Sequence, residues 1–172
     1  VVVHDEGGTA GTDLTQGPKA AQVRNRSVFA DKWQEALRAQ LPAGTLPTPA
    51  LLHRKQHQIL IIDALTPQPD RDSGSLRLLN LMRLLIAEGA HVVFLPANRN
   101  AEGAYTAALQ QLGVECWHAP HMPGIPAWLR EHGSRFDAAM VSRHYVAAEF
   151  LPLLRKHAPQ AHVLFDTVDL HY

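Results

Sequence analysis

The chain has a single cysteine, Cys116, in 172 residues. It can close no intrachain disulfide and has no CxxC pair, so a disulfide-stapled scaffold is excluded. It also lacks an excess of charge of either sign, because sixteen Lys plus Arg balance sixteen Asp plus Glu. No overall field draws it to nucleic acid or to an acidic membrane, and no nucleic-acid partner is expected. No apolar run approaches the ~20 residues that cross a bilayer, and Val1-Val2-Val3-His4-Asp5 lacks a basic n-region followed by an apolar h-region. There is no GxGxxG, which argues against a nicotinamide or flavin dinucleotide site, and no GxxxxGK[ST], which excludes a P-loop. What remains is a chain that is 46% hydrophobic, with eleven histidines scattered outside zinc-finger spacing. That composition fits an ordinary α/β or mixed core.

Residues 1–57 read as an N-terminal arm and linker. Gly7-Gly8-Thr9-Ala10-Gly11-Thr12 and Pro42-Ala43-Gly44-Thr45-Leu46-Pro47-Thr48-Pro49 are loop material by composition. Between them, the four-residue spacing of Phe29, Trp33, Leu37 and Leu41 predicts one amphipathic helix over 27–41. Such a stripe is expected to dock on a neighbouring surface.

From residue 58 to 172 the pattern becomes regular. Ile59-Leu60-Ile61-Ile62 is a run of the kind buried on both faces of a parallel sheet. Further strands are expected at 91–95, 114–117, 136–142 and 162–165, alternating with helices at 73–88, 105–112, 125–132 and 147–157. This alternation predicts a doubly wound parallel sheet in a three-layer α/β/α arrangement, a Rossmann-like fold. In such sheets ligands bind where the strands end, which directs attention to the residues just after each strand.

After the first strand, Asp70-Arg71-Asp72 leads into Ser73-Gly74-Ser75 at a helix start. Ser73 or Asp72 would cap that helix, and Gly74 would let its free N–H groups approach a phosphate; an ordinary capped helix has the same sequence. Asp70, Arg71 and Asp72, three adjacent charges at the ligand edge, suit contact with a polar substrate, although a solvated surface run is the commoner outcome of such a sequence. After the fourth strand, Arg143 could meet an anion or merely pair with a surface carboxylate, and His144 could bind sugar hydroxyls or move a proton or simply start the next helix. The fifth strand ends in Asp166-Thr167-Val168-Asp169-Leu170-His171-Tyr172, the densest polar cluster at the expected site. Asp166 could equally orient a neighbouring loop through backbone hydrogen bonds. Cys116, His118 and His121 have ligand chemistry for zinc but lack an evident fourth ligand, so no metal is expected. A phosphoreceiver module would need paired acids after the first strand, an aspartate ending the third and a lysine ending the fifth. The chain offers Asp63, His118 and Asp166 instead.

Residues 61–85, IIDALTPQPDRDSGSLRLLNLMRLL, with their P-x-x-D-x-x-S-G-S-x-R spacing, and the terminal LFDTVDLHY resemble the N-terminal Rossmann-like domain of GT-B glycosyltransferases of the retaining group 1 type. The resemblance spans about residues 58–172. It implies transfer of a sugar from a nucleotide-diphosphate sugar to a carbohydrate or lipid-linked hydroxyl acceptor, in cell-surface polysaccharide synthesis. It further implies that Ser73, Gly74 and Ser75 approach the donor diphosphate, and that His171, or His144 in its place, lies near the transferred sugar. Asp70, Arg71, Arg143, Asp166 and Asp169 complete the expected substrate-binding set. No cofactor is implied beyond the donor as co-substrate, and the spelling Asp70-Arg71-Asp72 is not read as a metal-binding DxD. The donor nucleotide would be gripped by a C-terminal domain of the same polypeptide. The chain begins without Met and ends just after a strand, so it is expected to be a piece of a larger cytoplasmic protein, peripheral at the inner membrane through its other parts, and inactive alone. The alternative is a non-catalytic α/β binding or scaffold domain of flavodoxin-like type.

Overall fold

The computed structural model describes residues 11–168 apart from Ala39. These separate into two compact units that divide after Pro47. The first carries α1 (Gly17–Lys32) and α2 (Gln34–Arg38). Pro18 opens α1, where a missing N–H removes no helical bond. The helix expected over 27–41 is therefore corrected at both ends: it begins at Gly17, is interrupted at Trp33, and stops by Arg38. Its apolar stripe is not buried, since Phe29, Trp33 and Leu37 keep 57%, 47% and 43% of their surface. Phe29 and Trp33 lie side by side instead, ring centroids 6.4 Å apart, with the Lys32 ammonium 5.5 Å from the indole.

The second unit starts at Thr48 and so includes the last ten residues before the first strand. Residues 48–57 carry α3 (Pro49–Leu52) and pin onto the start of the sheet. His53 stacks on His91 with ring centroids 3.7 Å apart, and the Gln58 side chain donates to the His53 carbonyl at 2.7 Å.

The sheet contains β1 (Gln58–Asp63), β2 (His91–Pro96), β3 (Glu115–Cys116), β4 (Ala138–Ser142) and β5 (His162–Asp166), all parallel in the order β3-β2-β1-β4-β5. Between strands run α4 (Ser73–Ala87), α5 (Gly103–Leu112), α6 (Ile125–His132) and α7 (His144–His157). Alternation along each strand sorts its side chains between two cores. Ile61, Val92 and Phe94 pack with Leu78 and Met82 of α4 and Leu109 of α5. Leu60, Ile62, Val93, Leu95 and Val141 pack with Trp128 and Leu129 of α6 and Phe150 and Leu154 of α7. The result is the three-layer Rossmann-like architecture that the alternation predicts. Among the described residues no helix is long and apolar enough to cross a membrane.

Three local features shape this frame. The chain passes very close to itself at Gly133, where a Cβ would stand 2.5 Å from the His157 carbonyl oxygen at the end of α7. The two-residue strand β3 is secured by Glu115, whose carboxylate accepts hydrogen bonds from His91 at 2.7 Å, Arg135 at 2.7 Å and the Trp117 indole. Burial pushes the Glu115 carboxyl up, but those three donors outweigh it and hold it at about 2. The neighbouring Cys116 thiol is pushed up to about 12 by burial and by the Glu115 charge. Finally, β5 is not the buried strand its apolar run suggests. It is the sheet edge, with Leu164 and Phe165 half exposed.

Candidate functional site

The strand order reverses between β1 and β4: the chain winds outward from β1 through β2 to β3, then crosses to β4 on the other side of β1. Such a reversal leaves a crevice at the strand C-termini, because the connections on its two sides part to opposite faces. A cleft of about 520 Å³ opens there, lined by Ala64 and Leu65 after β1, Asp72, Ser73, Gly74 and Arg77 of α4, Arg143 and Tyr145 after β4, and Val168 after β5. That volume falls in the usual range for small-molecule sites.

The α4 start is built by its own cap. Asp72 is extended at the N-cap, and its carboxylate accepts from the Ser75 amide at 2.7 Å and the Ser75 hydroxyl at 2.6 Å. The Ser75 hydroxyl donation, followed by its amide, lowers the Asp72 carboxyl below its ordinary range. Ser75 is thereby buried within the cap, while Ser73 and Gly74 face the cleft. Gly74 is required by space, since a Cβ there would meet Val168 Cγ1 at 3.1 Å and Asp72 Oδ1 at 3.2 Å. Asp72 already neutralises part of the positive helix end, so the remaining pull on an anion falls to Arg77 and Arg143.

Three strand ends supply the floor. The register Ile62↔Val141 brings Asp63 level with Ser142, and Ser142 is paired with Asp166. Asp63 is buried, and its Oδ1 accepts from the Ala64 amide at 2.6 Å and from Arg143 Nε at 2.9 Å. Burial raises the Asp63 carboxyl above its ordinary range, against the pull of the Ala64 amide and Arg143. Burial works to lower Arg143, but the Asp63 charge and hydrogen bond prevail and carry it upward. Asp166 receives the Arg77 guanidinium and the Val168 amide, and its carbonyl accepts from the Arg143 amide at 2.8 Å. The Ser142 hydroxyl, on the strand between those of Asp63 and Asp166, is buried and has no hydrogen-bond partner among the described residues.

The sequence-derived candidates divide accordingly. Ser73, Gly74 and Arg143 line the cleft, and Ser75 and Asp166 hold its walls from behind. Asp70 and Arg71 lie against α5: the Tyr105 hydroxyl donates to Asp70 at 3.0 Å, and the Arg71 guanidinium is 5.9 Å from the Tyr105 ring. His144 opens α7 with its ring edge against Tyr145, centroids 5.4 Å apart, and among the described residues Tyr145 rather than His144 reaches the cleft. Asp169 and His171 lie outside the described residues. Asp63, Arg77 and Tyr145 are site residues absent from the sequence-derived set, and Asp72 is the cap that the sequence offered. Arg77 had a readable signal, standing one helical turn beyond Ser73 on the same face. Asp63 had none, because its partner is eighty positions away. Among the described residues no group of three or more His, Cys, Asp or Glu side chains is placed to hold a metal ion.

Fold and cleft together define a Rossmann-like α/β domain with a polar crevice at its switch point. No family model matches the chain, and neither a curated protein nor a solved structure matches it.

Proposed function

We propose that this chain is the acceptor-side domain of a GT-B glycosyltransferase, acting on a nucleotide-diphosphate sugar and a hydroxyl acceptor, with a further domain of the same polypeptide gripping the nucleotide. The supporting observation is the switch-point cleft, where Arg143 engages Asp63 through Nε alone. The two terminal nitrogens of its guanidinium have no protein partner among the described residues. A planar guanidinium with free terminal N–H groups suits phosphate oxygens, as does the Ser73-Gly74 start of α4 beside it. In such a transfer the domain's own contribution is positioning and charge: it would balance negative charge growing on the leaving diphosphate while the acceptor hydroxyl approaches the sugar.

Titration calorimetry with uridine diphosphate, on the longer polypeptide that carries the nucleotide-gripping domain and on its Arg143→Ala variant, tests the reading. The expected result is binding that weakens about 10- to 100-fold in the variant, the range for loss of a charge-assisted contact. No binding by the wild type, or equal binding by both, would sink it. The placement of Tyr145 rather than His144 at the cleft favours a second reading, a binding domain without catalytic groups of its own. Sugar turnover by the longer polypeptide, abolished by Arg143→Ala, separates the transferase from that alternative.

A further inference from the structure

We infer that Asp63 is the positioning residue of the cleft, fixing Arg143 so that its terminal nitrogens are held ready for a phosphate-bearing ligand. The inference rests on the anion-binding reading of the cleft and adds to it how the binding group is held.

The first observation is backbone strain. Arg143 has φ 72° and ψ 138°, a region that side-chain-bearing residues rarely enter. Strain of this kind persists only where surrounding contacts over-determine it. Two such contacts hold it here. The Asp166 carbonyl takes the Arg143 amide at 2.8 Å, and Asp63 takes Nε at 2.9 Å. A chain that merely turned from β4 into α7 would have no need of the second.

The second observation is the geometry of the tether. Asp63 belongs to β1 rather than to a loop, its side chain is 7% exposed, and the Ala64 amide braces the same oxygen that Arg143 uses. The carboxylate therefore cannot follow the guanidinium outward. Binding through Nε is also selective, because it leaves the far edge of the guanidinium open while stopping its rotation. Arg77 provides the contrast. It reaches Asp166 through a terminal nitrogen and is 55% exposed. A flexible arginine would lose more freedom on gripping an anion than one already fixed.

The test uses inorganic pyrophosphate as probe, titrated calorimetrically into the full chain, with Asp63→Asn, Arg143→Ala and the double variant. If Asp63 acts through Arg143, Asp63→Asn weakens binding about tenfold alone and adds nothing in the Arg143→Ala background. Unchanged affinity in Asp63→Asn, or a full additional loss in the double variant, overturns the inference. Should Asp63→Asn fail to fold, Asp63→Glu keeps the charge but displaces the tether by one methylene. It is expected to show a smaller loss with the same non-additivity, and wild-type affinity would overturn the proposal. The Nε–H signal of Arg143 in a proton–nitrogen spectrum distinguishes the tether from the anion site. Wild-type protein that binds no pyrophosphate but shows a slowly exchanging Nε–H, lost in the Asp63 variant, removes the anion reading and leaves the tether standing. A rapidly exchanging signal in the wild type overturns the tether.

Discussion

At the scale of single residues, two positions carry more than their local sequence suggests. Gly133 has an ordinary helical φ of −60°, so its small size rather than its flexibility is what matters. Any Cβ would be forced against the His157 carbonyl oxygen at 2.5 Å, a backbone atom that cannot rotate aside. Gly133→Ala is expected to lower stability by about 1–3 kcal/mol through forced displacement of α7, measured as a drop in the urea midpoint without a change in slope. Glu115 is the other. Its carboxyl, held at about 2 in the folded chain against an ordinary 4.5, is a depressed acid. Its contribution is thus fully present above the unfolded value and is lost as pH falls from there through about 2. The shift corresponds to about 3 kcal/mol at neutral pH. Glu115→Gln is expected to remove most of that and to flatten the acid limb of a stability-versus-pH curve. A wild-type acid limb in the variant would contradict the assignment.

At the scale of elements, the sequence announces the interior better than the edges. Strand β1 was legible because Ile59-Leu60-Ile61-Ile62 is branched and apolar throughout, and the structure only extends it by a residue at each end. The same rule misjudged β5, since His162-Val163-Leu164-Phe165 reads like a buried strand and is an edge. Hydrophobicity reports what a segment is able to bury; whether a neighbour covers it is decided by strand order, which periodicity does not encode. The energetic consequence can be measured. Leu60, wholly buried on β1, should cost about 2–5 kcal/mol when cut to Ala. Leu164→Thr, at a side chain 55% exposed, should stay within about 0.5 kcal/mol. Thermal melts of the two variants that came out equal would show β5 to be covered. The cleft divides in the same way. The α4 start was legible from Asp72-Ser73-Gly74-Ser75 alone, because caps are local chemistry. The Asp63–Arg143 pair was not, because it exists only once β4 has been laid beside β1.

At the scale of the whole molecule, the balanced composition and the parallel sheet have a common meaning. With net charge zero, attraction of an anion cannot come from the surface at large. The cationic groups that line the cleft are two guanidiniums at one end of the sheet, each paired with a carboxylate from a strand end. The turn at Glu88 and Gly89 that feeds β2 lies at the other end of the strands. The sole cysteine, Cys116, is half-buried, with its thiol pushed up to about 12. At neutral pH almost none of it is thiolate, the form that reacts. The native chain is therefore close to a blank background for bioconjugation: a maleimide dye should leave it unmodified over an hour and label Glu88→Cys once, as read by intact mass. A reporter can then be attached at the end of the sheet remote from the cleft, with no native cysteine to remove first.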